Sequence, residues 1–289
     1  MSGGVGVGDE PTDGGDVPPA DASGWRPHLR VGSATHPGYR RPDNQDGALV
    51  GRRVFLVADG MGGHEDGAAA SAAALRALRR LDADDGTDSD VPAAADSTAP
   101  PPGGPDVADR AAAVRAALAD AHAAVAALAT GPDRAPGTTV TGVVLVVPGG
   151  QVPPAWLVVN VGDSRTYRWA HGALERLTGD DTLVAELERA GLLTAAEARS
   201  DPRRHVITRA LGAGAPLRPG PHDVRAVPAA PGDRVLSCSD GLTDELDDAR
   251  IAALLAEGDD PQATAEALVA AALAAGGRDN VTVVVVDVT

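Results

Sequence analysis

The sequence predicts an α+β fold built in layers, and three observations carry that expectation. Strand-like apolar runs come in sets, so a strictly alternating, doubly wound sheet is disfavoured. Ala-rich helical stretches stand between those sets. Aromatic residues make up only 2% of the chain, so its core has to be built from Val, Leu, Ile and Ala. At 289 residues, the length suits one large domain or two small ones.

Residues 1–24 are rich in Gly, Pro and Asp without periodicity and read as a disordered tail before a domain over 25–289. The run RRVFLVA at 52–58 predicts a strand ending at Asp59. Residues 67–81 predict a helix, with Leu75, Leu78 and Leu81 along one face. The stretch 82–107 is acidic and Pro-rich and reads as a solvated insertion before a second helix at 108–128. Two apolar strands are expected at 138–147 and 155–161, joined by a Pro-Gly loop. Residues 165–169 and 174–177 predict a hairpin turning at Ala170-His171-Gly172. Short helices are expected at 182–190 and 194–200, then a strand at 234–238 before Asp240. Helices at 249–256 and 261–274, the latter opening on Pro261, precede a buried closing strand at 281–286.

Charge and composition exclude several functions. Acidic residues outnumber basic ones by 41 to 25, a net charge of −16, which disfavours nucleic acid and anionic membranes. All 25 basic residues are Arg. Without Lys there is no P-loop lysine, no kinase strand lysine and no Schiff base. The single Cys238 rules out a disulfide framework, and its apolar setting reads as packing. No apolar stretch approaches the roughly 20 residues of a membrane span, and no secretory leader is evident, so a cytoplasmic protein is expected.

The chemistry lies in where the aspartates fall. Four apolar strands each carry an Asp at one end: VFLVAD with Asp59, LVVNVGD with Asp163, VLSCSD with Asp240, and Asp279 before NVTVVVV. A fifth, Asp46, follows Arg41 in RRPDNQD. If those ends converge, the like charges raise one another's pKa unless a cation holds them ionised. Oxygen ligands select hard cations, Mg²⁺ or Mn²⁺, and no His/Cys spacing suggests zinc. About four carboxylates match about two divalent ions, and Arg41 can offer a planar fork to a phosphate dianion.

These residues resemble the metal-dependent serine/threonine protein phosphatases of type 2C, in their bacterial form. Arg41-x-x-Asn44-Gln45-Asp46, Asp59-Gly60-Met61-Gly62-Gly63-His64, Gly137-Thr138-Thr139, Gly162-Asp163-Ser164-Arg165, Ser239-Asp240-Gly241-Leu242 and Gly277-Arg278-Asp279-Asn280 stand in that family's order. The stretch 179–211 resembles its flap segment. The resemblance implies a four-layer α-β-β-α sandwich with two central antiparallel sheets and metals at one edge. It implies hydrolysis of phosphoserine and phosphothreonine by a metal-bridging water or hydroxide, countering serine/threonine kinases. Asp59 would bridge two core Mn²⁺ or Mg²⁺ ions, with the Gly60 carbonyl on the second and Asp240 and Asp279 on the first. Asp163 would join Asp240 at a weaker third ion. Asp46 would orient metal-bound water, Arg41 would hold the phosphate with Arg40 left on the surface, and His64 would protonate the leaving alkoxide. A monomer is expected. The sequence departs from the family's pattern at Gln45, where many relatives carry Glu, and at Asp201, where His is frequent.

Overall fold

The computed structural model describes residues 25–62, 66–82, 106–131, 135–149, 152–220 and 223–289. The tail at 1–24, most of the acidic stretch and His64 lie outside them.

The strands are β1 (Leu29–His36), β2 (Asp46–Val50), β3 (Val54–Met61), β4 (Gly137–Thr138), β5 (Val140–Val146), β6 (Ala155–Val161), β7 (Arg165–Ala170), β8 (Ala173–Arg176), β9 (Leu211–Gly212), β10 (Val224–Pro228), β11 (Arg234–Cys238) and β12 (Val281–Val288). The helices are α1 (Asp66–Leu78), α2 (Val107–Ala126), α3 (Leu183–Arg189), α4 (Ala195–Ser200), α5 (Asp240–Thr243), α6 (Asp248–Glu257) and α7 (Pro261–Ala275). One sheet runs β1-β12-β11-β7-β8. The other runs β10-β6-β5-β3-β4-β9, with β2 on the free side of β3. Every strand pairing is antiparallel.

Alternation along the strands builds the layers. In β3, Val54, Leu56 and Ala58 face α1 and α2, while Phe55 and Val57 face the other sheet. In β12, Val281, Val283 and Val285 face α6 and α7, while Val284, Val286 and Val288 turn inward. The order is therefore α1 and α2, sheet, sheet, α6 and α7: the expected four-layer α-β-β-α sandwich.

Local chemistry sets the boundaries. The hairpin between β7 and β8 turns on His171 and Gly172, both at positive φ (51° and 76°), the pairing a two-residue turn of this hand requires. Thr182, Thr194 and Asp260 cap α3, α4 and α7 through their side-chain oxygens. The helix expected over 67–81 ends at Leu78 and tightens into a 3₁₀ turn at Arg79–Asp82. Asp82, the first residue of the acidic stretch, accepts the backbone amides of Arg52 and Arg53 at 2.8–3.0 Å. The strand expected over 138–147 divides into β4 and β5 at Thr139, which wraps the Asp59 backbone. Its amide donates to the Asp59 carbonyl (2.9 Å), and its hydroxyl accepts from the Asp59 amide (3.0 Å).

Candidate metal centre

Inside the sandwich, the residues facing between the sheets change character from one end to the other. Phe55, Val143, Trp156, Val235 and Val286 form an apolar floor. The next inward positions are hydroxyls: Thr141 bonds to Thr166 at 2.9 Å, and Thr166 to Ser237 at 3.2 Å. On β1 and β12, Thr35 bonds to Thr282 at 2.6 Å. Beyond them, where the strands end, stand Asp46, Asp59, Asp163, Asp240 and Asp279.

Each aspartate is fixed from the backbone upward. Asp46 and Asp59 are directly opposed partners in the β2–β3 register, a juxtaposition of like charges that destabilises a sheet unless something neutralises it. Ser239 ties the two sheets together, donating its hydroxyl to Asp46 Oδ2 (2.7 Å) and accepting the Thr282 amide (2.9 Å). Asn280 anchors the loop that carries Arg41. Its Nδ2 donates to the carbonyls of Pro37 and Asp43, both at 2.9 Å, and its Oδ1 accepts the Gln45 amide at 2.8 Å.

The two Asp-Gly pairs have a packing reason that the sequence did not disclose. A Cβ on Gly60 would stand 2.0 Å from the Gly67 carbonyl oxygen, and one on Gly241 would stand 2.0 Å from that of Asn280. Glycine lets the turns bearing Asp59 and Asp240 close against neighbouring backbone. Gln45 packs the same seam: a Cβ on Gly67 would lie 2.3 Å from its side-chain oxygen.

Burial pushes the Asp46 carboxyl up to about 6, with Asp279 adding to the rise and the Ser239 hydroxyl opposing it. Burial lifts Asp163 to about 7, reinforced by Asp180. Asp59 and Asp240 rise well above the ordinary carboxylate range. Burial comes first in both; then Asp46, Asp240 and Asp163 act on Asp59, and Asp163, Asp244 and Asp279 on Asp240. One oxygen each of Asp46, Asp163 and Asp240 is buried with no hydrogen-bond partner. Buried polar atoms are rarely left so in folded proteins. A divalent cation answers both the unpartnered oxygens and the mutual repulsion, so the residues fit the metal that the sequence implied.

The carboxylates line a cleft of about 840 Å³, together with Arg40, Arg41, Gln45, Gly60, Arg204, His205, Asp244, Arg278 and Asn280. Arg41 forms a bidentate pair with Asp279, Nε–Oδ1 2.7 Å and Nη2–Oδ2 2.6 Å. Arg40 is an exposed surface residue that lines the cleft as well. Cys238 is fully buried, and burial pushes its thiol up to about 12, so it is no nucleophile. Asp201 is held by Arg203 through two contacts of 3.0 and 2.8 Å and shapes the turn after α4. Sequence reasoning gave no role to Ser239, Asn280 or Thr139, although each stands in a quoted motif, Ser239 and Asn280 directly beside an aspartate.

Comparison with known proteins agrees with this geometry. The family model described as "Protein phosphatase 2C" matches residues 35–275. The serine/threonine protein phosphatase PstP of Mycobacterium tuberculosis is 37% identical over 262 residues, covering 90% of this chain and 45% of that protein. The chain thus spans just under half the length of this relative. The serine/threonine phosphatase stp of Listeria monocytogenes is 30% identical over 249 residues, covering 86% of this chain and 87% of that protein. Among solved structures, the catalytic domain of PstP in complex with two manganese ions superposes with a TM-score of 0.69 at 36% identity, covering 90% of this chain and 98% of that one. The Streptococcus agalactiae serine/threonine phosphatase superposes with a TM-score of 0.72 at 28% identity, covering 91% and 100%. With its motif aspartates gathered at one edge of a four-layer sandwich, this chain belongs to the protein phosphatase 2C family.

Proposed function

We propose that the chain is a Mn²⁺- or Mg²⁺-dependent phosphatase acting on phosphoserine and phosphothreonine in proteins, and that it counters serine/threonine kinases. The observation that carries this reading is the set of buried carboxylates with unpartnered oxygens at one edge of the sandwich. Two relatives bear the name of serine/threonine phosphatase, and the PstP catalytic domain is described with two manganese ions.

Asp59, the Gly60 carbonyl, Asp240 and Asp279 would hold two core cations, and Asp163 with Asp240 a weaker third. When bound, such cations supply Lewis acidity, making water acidic enough to attack near neutral pH and neutralising charge on the phosphoryl group. Asp46, fixed by Ser239, orients the attacking water and accepts its proton at a carboxylate oxygen. Arg41 offers its fork to the phosphate, exchanging its bond to Asp279 for one to the substrate. His64 remains the candidate donor to the leaving oxygen. The net charge of −16 favours a protein substrate over a polyanion. Among the described residues no helix is long and apolar enough to cross a membrane; a cytoplasmic, monomeric enzyme is part of the proposal.

The test measures phosphate release from a phosphothreonine peptide and, in parallel, hydrolysis of a dinucleotide. Mn²⁺-dependent release from the peptide alone is expected. Full activity after exhaustive chelation, or preference for the dinucleotide, overturns the reading.

A further inference from the structure

Residues 179–211 leave the sandwich after β8 and return to it at β9, and Arg204, His205 and Ile207 of this flap line the cleft. Little apolar contact sets its position. Over 183–207 the buried apolar residues are Val184 and Ala198, whereas Leu192 is 70% exposed. The flap is held instead at a narrow neck. Thr182 bridges to Ile207, the Leu183 amide donates to the Val206 carbonyl (2.9 Å), and the Thr208 amide donates to the Asp181 carbonyl (2.8 Å).

Asp181 joins that neck to the turn beside Asp163. Its amide donates to the Gly162 carbonyl (3.0 Å), and its Oδ2 accepts the Gly162 amide (3.0 Å) and Nη1 of Arg209 (2.8 Å). Arg209 also donates Nη2 to Asp223 Oδ1 (2.6 Å) and to the Arg218 carbonyl (2.9 Å). The Asp223 carbonyl in turn accepts the Asn160 amide of β6 (3.2 Å). One guanidinium thus ties the departing limb of the flap to the returning limb and both to the sheet. Asp181 and Asp223 are buried, so the planar fork holds two desolvated carboxylates in one geometry. The turn they grip has no play: Gly162 lies at φ 106°, and a Cβ there would stand 2.6 Å from the Thr139 side chain.

We propose that Asp181 and Arg209 are positioning residues for phosphoprotein substrates: by clamping the neck, they hold Arg204, His205 and Ile207 in place in the cleft. This rests on the reading of the chain as a protein phosphatase. Neither Asp181 nor Arg209 lines the cleft, so they act through the flap and not on the substrate. A small aryl phosphate occupies a fraction of the 840 Å³ and needs the carboxylate edge and Arg41 alone. An extended peptide advances about 3.3 Å per residue, so the residues flanking a phosphothreonine run from that edge onto the flap. Loosening the neck therefore penalises the peptide and spares the small substrate.

Two conservative variants test this. Arg209→Lys keeps the charge and cannot span both carboxylates; Asp181→Asn keeps an oxygen for the Gly162 amide and gives up the charge. Each full-length variant is assayed in saturating Mn²⁺ on a phosphothreonine peptide and on p-nitrophenyl phosphate. The metal-free chain is also digested with trypsin, which reports on the flap at the exposed Arg199, Arg203 and Arg204. Expected is a rise in KM for the peptide of at least about fivefold, with its kcat and both constants for p-nitrophenyl phosphate within about twofold of wild type. Cleavage after Arg203 and Arg204 should quicken at least about fivefold. Arg234→Leu, which breaks a buried ion pair outside the cleft, is the control for lost stability and should leave the ratio of the two substrates unchanged. Either variant decides the matter should the other fail to fold. An equal loss on both substrates, or peptide KM and flap cleavage both unchanged, overturns the assignment. A wild-type chain that releases no phosphate from the peptide overturns the underlying reading instead.

Discussion

Replacing Asp163 by Asn should make the metal-free protein more stable, and by an amount that depends on pH. Asp163 is buried and its carboxyl is raised from 3.8 to about 7, first by burial and then by Asp180, with its own backbone amide and Arg165 opposing. Arg165 gives little relief, because its guanidinium is held by Asp180 at 2.8 Å. A folded-state carboxyl that titrates above its unfolded value binds more protons than the unfolded chain does, so stability falls as pH climbs through that interval. The rise from 3.8 to about 7, at about 1.36 kcal/mol per unit, amounts to roughly 4 kcal/mol of cost above pH 7. Asp240 titrates together with Asp163, so a single substitution should recover about 2–4 kcal/mol of it. For a domain of this size that is roughly 5–15 °C in Tm. The assay is urea unfolding of wild type and Asp163→Asn under chelation, at pH 4 and pH 8. The variant should gain nearly all its advantage at pH 8 and little at pH 4, and saturating Mn²⁺ should shrink or reverse the gain. An equal gain at both pH values, or none at pH 8, would refute the argument from buried charge.

Four other outcomes can be checked. Asp279→Asn should lower kcat at least about a hundredfold in saturating Mn²⁺ with an unchanged circular dichroism spectrum; a near wild-type rate would remove Asp279 from the metal set. Arg41→Ala should lower kcat/KM for a phosphopeptide by roughly ten- to a hundredfold, with Arg41→Lys recovering only part, because an ammonium cannot form the fork. Arg234→Leu should cost about 3–5 kcal/mol in urea unfolding, since it strips Asp287 of a bidentate partner at 2.6 and 2.8 Å and frees the Leu255 carbonyl at the end of α6; a loss under about 1 kcal/mol would contradict this. Mn²⁺ at a hundredfold over its Kd should stabilise the protein by about 2.7 kcal/mol, and thermal melts should show a larger effect at pH 8 than at pH 5.5, where protons compete for the carboxylates.

The sequence disclosed those parts of the fold whose signal is local. β6 and β11 were placed at their observed ends because both are short, mainly apolar segments, buried along their whole length. The turn at His171-Gly172 and the caps of α3 and α4 follow from residue chemistry alone. β1, β2 and β10 were not foreseen. Leu29–His36 mixes Gly, Ser and Thr with its apolar residues because its inward row ends at Thr35, in the hydroxyl layer, and neither Asp46–Val50 nor Val224–Pro228 exceeds five residues. β1 and β10 pair with β12 and β6, which lie far away along the chain, while β2 pairs with the next strand, β3. Asp59, Asp163, Asp240 and Asp279 were visible because each stands at one end of an apolar run, and Asp46 because it follows Arg41. What held them was hidden, since Ser239, Thr139 and Asn280 act through contacts spanning tens to hundreds of residues. His205 gave no signal, because Asp244 is distant along the chain and meets it only in the fold.

The graded interior has a mechanical consequence. At the floor, the spacing of the two sheets is set by van der Waals contact between Phe55, Trp156, Val235 and Val286, which resists both compression and opening. At the opposite edge, the facing groups described above are hydroxyls and carboxylates. There Ser239 is one cross-link, and the balance between charge and counter-charge decides the rest. The sandwich is thus stiff at one end and compliant at the other. On the proposed function, each cation loaded or lost would shift the rest position of the two β-sheets, and with it the gap offered to a phosphorylated side chain.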